Sequence, residues 1–211
     1  AIMPANMSFE EAAAVPFGGR DALHFLRLGN IQSGQKMLIN GAGGSIGAFA
    51  VQLANYFGAE VTAVDSTAKL DMLLDIGTDH VIDYTEEDFT KNVEIYDVIF
   101  DVVGMISLSG SAGSMTPDGT YLLANPLRGQ LTRLLWKRMT SSNRVVMQTA
   151  SGTVEDLVYL RELIEEGKIE TVIDRSYPLE ETSKLTDTWK QGRKWGTWLS
   201  PWRMMSKGLV I

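Results

Sequence analysis

The chain has 211 residues, a formal charge of −7, and 45% hydrophobic against 21% charged residues, which are the proportions of a globular protein and exclude a disordered or fibrous one. The acidic balance argues against an extended phosphate-binding face, and so against nucleic acid as a partner. There is no cysteine, and the only histidines are His24 and His80; this excludes disulfides, thiolate nucleophiles and cysteine- or histidine-cluster zinc sites within the chain.

Ser8 and Glu11 form a capping-box pattern, so a helix starts there. Pro16 and the pair Gly18, Gly19 interrupt it, and DALHFLRLGN supplies a second helix ending near Gly29. MLIN is a short, unalternating apolar run, as a strand covered on both faces would be. Strand and helix then alternate: AFAVQLANYFG is helical to Gly58, EVTAVD is a strand, AKLDMLLDIG is helical to Gly77, and HVIDY is a strand. YDVIFDVV, TYLLAN and RVVMQTA are three further strands. This spacing implies right-handed crossovers and an α/β fold: a doubly wound, parallel, six-stranded Rossmann sheet of order 3-2-1-4-5-6. VEDLVYLRELIEEGK then reads as a helix, TVIDRSY as a strand and LEETSKLTDTWKQG as a last helix. Residues 1–30 are thus a helical lead-in, 31–150 the nucleotide-binding unit and 151–211 a C-terminal extension.

No apolar stretch is long enough to span a bilayer, and AIMPANMSFEE lacks the charged and apolar regions of a secretion signal, so the expectation is a cytoplasmic protein. A chain that opens on Ala1 and runs at once into a helix reads as a piece of a longer polypeptide.

The chemistry is concentrated in LINGAGGSIGAFAVQLA, a strand followed by a glycine-rich turn and a helix. Gly41, Gly43, Gly44 and Gly47 stand where the chain must turn, admit a pyrophosphate and pack helix on strand. The amides of Gly44, Ser45 and Ile46 would face the phosphates with the positive end of the helix dipole behind them. Asp65 ends the second strand, where its carboxylate can accept from the adenosine-ribose hydroxyls. A Walker A loop is excluded because no Lys follows these glycines. A methyltransferase is a rival reading, though Asn40 stands where such enzymes usually carry an acid. A short-chain reductase is excluded because no tyrosine has a Lys four positions on.

The stretches SFEEAAAVPFGGRDALHFL, GQKMLINGAGGSIGAFAVQLA, GTDHVIDYTEEDF, YDVIFDVVG and ELIEEGKIETVIDRSYPLEE together resemble the quinone-oxidoreductase branch of the medium-chain dehydrogenase/reductase superfamily. The resemblance implies an N-terminal catalytic domain ahead of this segment, with substrate held in the cleft between the two. VPFGG stands where zinc-dependent relatives place a zinc-ligating cysteine, so a zinc-independent enzyme is implied. Such enzymes pass hydride from nicotinamide to a quinone or an enone. Carried over by position, Gly44, Ser45 and Ile46 match the pyrophosphate turn, with Ala42 where many dehydrogenases have the first glycine. Asp65, Ser66 and Lys69 match the ribose segment, and Tyr84 a tyrosine beside the adenosine half. Val102, Val103, Leu123, Ala124 and Asn125 match strand ends along the cofactor's middle and nicotinamide end. No catalytic residue is assigned.

The resemblance leaves the cofactor as NAD(H) or NADP(H). Asp65 favours NAD(H) by repelling a 2′-phosphate, whereas Lys69 would attract one. Asp21 stands where relatives often carry a threonine near the cofactor. RGQLTRLLWKRM reads as a basic amphipathic helix that packs on its own domain, in preference to lying on a membrane or covering a substrate cleft, so a membrane partner is not expected. Trp189, Trp195, Trp198 and Trp202 read as packing residues, and His24 and His80 as structural. An apolar surface including TVIDRSYP is expected to support a homodimer. The alternative function is a non-catalytic dinucleotide sensor or scaffold of the same fold.

Overall fold

The computed structural model describes residues 1–104, 111–125, 142–174, 176–178, 181 and 209–210. Both halves of the capping box form at the first helix, α1 (Phe9–Ala14): Ser8 Oγ accepts from the Glu11 amide, and Glu11 Oε2 accepts from the Ser8 amide at 2.7 Å. The expected interruption after α1 is not a break. Val15–Gly19 forms a π-helical turn and the chain runs on into α2 (Arg20–Gly29). Pro16 has no N–H to give an ordinary helical bond, and the wider turn absorbs it. The same turn seats Gly18 on the next helix, where an added Cβ would lie 2.4 Å from Ser45 Oγ. Asn30, in the left-handed region at φ 53°, ends α2.

The strands β1 (Lys36–Asn40), β2 (Glu60–Asp65), β3 (His80–Asp83), β4 (Tyr96–Asp101), β5 (Met115–Leu123) and β6 (Arg144–Met147) form one sheet of order β3-β2-β1-β4-β5-β6. Every pair in it is parallel. The sheet is therefore the expected doubly wound one. Helices α3 (Ser45–Tyr56) and α4 (Leu70–Asp75) connect its first three strands. Successive strand residues feed two cores. Met37, Ile39, Val61, Ala63, Phe100 and Leu122 face one side with α2, α3 and α5 (Val154–Glu165); Leu38, Val64, Ile82, Ile99, Tyr121 and Leu123 face the other. Because both faces are covered, the strands carry no polar alternation.

Two elements differ from expectation. Strand β5 starts at Met115, ahead of TYLLAN, because a register irregularity between Tyr96↔Met115 and Val98↔Thr120 lets the strand carry Pro117 and Gly119. Asn143 Nδ2 donates to the Thr116 carbonyl at 2.8 Å and satisfies part of that irregular backbone. Among the described residues of TVIDRSY, Ser176–Tyr177 is a strand (β7), paired antiparallel with Leu209–Val210 (β8), and 171–174 are not in one. Upstream of it, the Gln52 side chain accepts the Glu170 amide at 2.7 Å and donates to its carbonyl at 3.0 Å, so this stretch is tied to α3 instead of to a sheet. The RGQLTRLLWKRM helix, the four tryptophans Trp189, Trp195, Trp198 and Trp202, and all of LEETSKLTDTWKQG except Glu181 lie outside the described residues. No described helix is long and apolar enough to cross a membrane.

Candidate functional site

The strand order reverses between β1 and β4, and in such sheets the crevice beyond the carboxyl ends of the strands at that point takes the ligand. The glycine-rich turn lies there. Gly41 has φ +81° and passes so close beneath Val103 that an added Cβ would sit 2.4 Å from Val103 Cγ2. At Gly47 an added Cβ would meet Gly41 O at 2.3 Å and Ala42 backbone at 2.6 Å, so α3 begins directly on the turn.

The turn's amides divide into two groups. Gly41 and Ala42 both donate to the Val64 carbonyl, and Gly44 donates back to Gly41 O at 3.2 Å. Gly44 is the extended N-cap residue of α3 and no side chain caps that helix. The donors left at the helix start are therefore Ser45, Ile46 and Gly47, together with the positive end of a 12-residue helix. This differs from the expectation for Gly44, whose amide closes the turn instead of facing a ligand.

Asp65 is also more occupied than its sequence position suggests. Its side chain is only 6% exposed. Oδ2 accepts the Gly43 amide at 2.8 Å, and Oδ1 accepts the Ser66 amide at 2.8 Å. The Ser66 hydroxyl also lies 3.3 Å from Oδ1; Oδ2 keeps a second lone pair, and rotation of the Ser66 hydroxyl frees one on Oδ1, so hydroxyls of a sugar can still be accepted. Lys69 lies over the same place, its Nζ donating to Gly43 O at 2.9 Å and standing 3.8 Å from Asp65 Oδ1. The structure thus brings Gly43, Asp65, Ser66 and Lys69 into one contact group.

Tyr84 follows β3, its amide donating to the Asp65 carbonyl at 3.1 Å and its ring partly exposed. Burial, then the carboxylates of Asp65 and Asp83, push its phenol above the ordinary value, so it stays protonated and neutral. On the other side of the turn Asn125 Nδ2 donates to Val102 O at 2.8 Å, and the Ala124 amide donates to Asp101 O. Val103, Ala124 and Asn125 are only partly buried and stand beside the crevice. The side chains of Leu123 and Val102 belong to the two cores, so these residues can offer a ligand only backbone. Asp101, which the sequence pattern does not single out as a site residue, is fully buried beneath these turns; an acid inside the apolar run YDVIFDVV is the signal for it.

Arg20 was missed as well. Its guanidinium donates to buried Asp21 at 3.0 Å, and its side chain fills the space an added Cβ on Gly152 would need. That pair occupies the position where a threonine contact was in question. Among the described residues no three His, Asp or Glu side chains cluster as metal ligands, and His80 is on the surface against Glu60.

A doubly wound parallel sheet with an uncapped helix start over a glycine turn at the reversal point defines a nucleotide-binding domain of Rossmann type. The chain belongs to the zinc-binding dehydrogenase family, whose model matches residues 76–197. The matched residues begin after the glycine turn, so family and turn are independent observations. The chain is 34% identical to a 2-methylene-furan-3-one reductase of Solanum lycopersicum over 84% of its own length and 42% of that protein's. It is 32% identical to a chloroplastic NADPH-dependent alkenal/one oxidoreductase of Arabidopsis thaliana, over 84% and 43%. The fold matches the quinone oxidoreductase from Coxiella burnetii with a TM-score of 0.81 at 24% identity, across 100% of this chain and 62% of that one. The chain therefore spans less than half the length of the two curated relatives.

Proposed function

We propose that this chain is the NAD(P)(H)-binding domain of an oxidoreductase that moves hydride between a nicotinamide cofactor and a quinone or enone acceptor. The observation that carries this reading is the uncapped start of α3 over the glycine turn, one contact away from the Asp65 carboxylate. When bound, the nicotinamide supplies the hydride chemistry. The chain's own residues bind and orient. The Ser45 and Ile46 amides hold the pyrophosphate, and Asp65, with Ser66 and Lys69 beside it, takes the ribose hydroxyls. Tyr84 flanks the adenosine half, and Val103, Ala124, Asn125 and the Leu123 backbone flank the nicotinamide half. The acceptor class is supported by relatives named for reduction of a furanone and of alkenals and enones.

Zinc has no role in this proposal, because the chain has no cysteine and its described side chains do not assemble a ligand set. NAD(H) is preferred over NADP(H), since a 2′-phosphate would be brought up against a buried carboxylate that Lys69 offsets only in part. The relatives compared above are named as reductases and oxidoreductases, and no observation favours a non-catalytic sensor. Calorimetric titration of the 211-residue chain with NADH and NADPH tests the reading. Saturable one-site uptake, tighter for NADH, is expected; no uptake of either by well-folded protein would end it.

A further inference from the structure

Asp101 ends β4 with no exposed surface at all. A carboxylate taken out of water is costly unless donors surround it, and the described residues supply at least three. Asn40 Nδ2 donates to Oδ1 at 2.9 Å and the Gly104 amide to the same oxygen at 2.8 Å; Tyr121 Oη donates to Oδ2 at 2.8 Å. Burial first, then Asp101, hold the Tyr121 phenol far above its ordinary range, so it remains a donor wherever the protein is folded. An apolar side chain would fill the same volume without such demands. What the carboxylate adds is a requirement that two separate turns meet at one atom.

Those turns are the ones that flank the crevice. Asn40 is the last residue of β1, immediately before Gly41, and Gly104 closes the turn after β4. Val103, between Asp101 and Gly104, lies on Gly41, and Asn125 reaches back to the Val102 carbonyl. We infer that Asp101 is a positioning residue for the cofactor: by tying Asn40 to Gly104 at a single oxygen, it fixes the spacing between the pyrophosphate turn and the β4 turn. The inference rests on the nucleotide-binding reading above and adds to it a residue that touches no ligand.

The network has two arms that separate this role from simple stability. The Asn40 and Gly104 arm reaches the crevice, whereas the Tyr121 arm lies wholly in the core. The test is NADH titration of the 211-residue chain and its variants, with thermal melting of each. Asn40→Ala is expected to weaken binding at least about tenfold, the scale of one hydrogen bond to a charged group. Tyr121→Phe is expected to lower the melting temperature and leave the dissociation constant within about twofold. Asp101→Ala should weaken binding, and Asp101→Asn should restore most of it. The amide oxygen still accepts from Asn40 and Gly104, and its NH2 can donate to a reversed Tyr121 hydroxyl.

Gly104→Ala is an independent perturbation if Asn40→Ala does not fold. An added Cβ would lie 2.1 Å from Asn125 O, at φ +76°, and must displace the β4 turn. Unchanged affinity in folded Asn40→Ala or Gly104→Ala would overturn the inference while the cofactor reading stands. So would a Tyr121→Phe chain that loses affinity as severely as Asn40→Ala. A parent chain that takes up no dinucleotide would remove the cofactor reading, and this inference with it.

Discussion

Replacing Asp65 with serine should move cofactor preference from NAD(H) toward NADP(H), and the structure says how the measurement must be made. Two like unit charges about 5 Å apart in a medium of effective dielectric about 20 repel by about 3 kcal/mol. Lys69 Nζ, 3.8 Å from Asp65 Oδ1, returns part of that to a 2′-phosphate. A net discrimination of about 1.5 to 2 kcal/mol, or about ten- to thirtyfold, is left to lose. The same carboxylate holds the Gly43 amide and the Ser66 amide, so serine also loosens the turn and weakens both dinucleotides. The informative quantity is thus the ratio of the two dissociation constants, measured by calorimetry in one buffer at fixed salt. Asp65→Asn is the control that retains an oxygen acceptor for Gly43 while removing the charge, at the loss of the acceptor for the Ser66 amide. Both variants should shift the ratio toward NADPH by about tenfold or more, and Lys69→Ala should shift it the other way. A ratio unchanged in Asp65→Ser and in Asp65→Asn would refute the electrostatic reasoning.

Gly47→Ala should destabilise the fold by at least the roughly 1–3 kcal/mol of an overpacked core, because the new methyl meets backbone at 2.3 Å and cannot be relieved by a rotamer change; melting curves check it, and titration should show NADH uptake abolished. Acid should remove stability at the start of α5. Burial alone would raise the Asp156 carboxyl, but the Thr153 amide, Arg27 and the Thr153 hydroxyl together hold it below its ordinary value. Its contribution is therefore fully present above the unfolded carboxylate range and is lost as pH falls through the lower folded value. Arg27→Met should flatten the acid limb of the stability curve, and Thr153→Ala should cost about 1 kcal/mol at neutral pH, both measured by denaturant titration from pH 7 down to pH 3. Exposed Ile2, Phe9 and Val154 add apolar surface to the described part of the chain, and concentration-dependent dimerisation is expected in sedimentation velocity; a single monomer boundary at every concentration would exclude it.

The sheet was legible because its determinants are local. Each of β1 to β4 is an apolar run without alternation, and Gly58 and Gly77, at φ +83° and +98°, end α3 and the α4 segment where the pattern placed them. What escaped depends on partners distant in sequence. Pro16 reads as a break when only its missing N–H is counted, but the π turn is held by the seat of Gly18 on Ser45. Pro117 and Gly119 lie ahead of the strand expected at TYLLAN, yet pairing with β4 and the Asn143 side chain keep them in β5. Asp101 is bonded to residues 61 and 20 positions away, and no window along the chain contains both Asn40 and Tyr121.

Asp65 shows why the site itself was only half legible. Its distance from the glycines and its place at a strand end identify it, and both survive in the structure. Its bond to Gly43 spans 22 residues and has no sign in the local sequence. An acid at that point therefore has two duties, fastening the turn that presents amides to a diphosphate and recognising the neighbouring sugar. A side chain without an oxygen acceptor at this point gives up both duties together. A sequence that alters cofactor choice by removing both oxygens at position 65 must supply another acceptor for the Gly43 amide, and the neighbouring Ser66, whose hydroxyl lies 3.3 Å from Asp65 Oδ1, is a candidate to provide it.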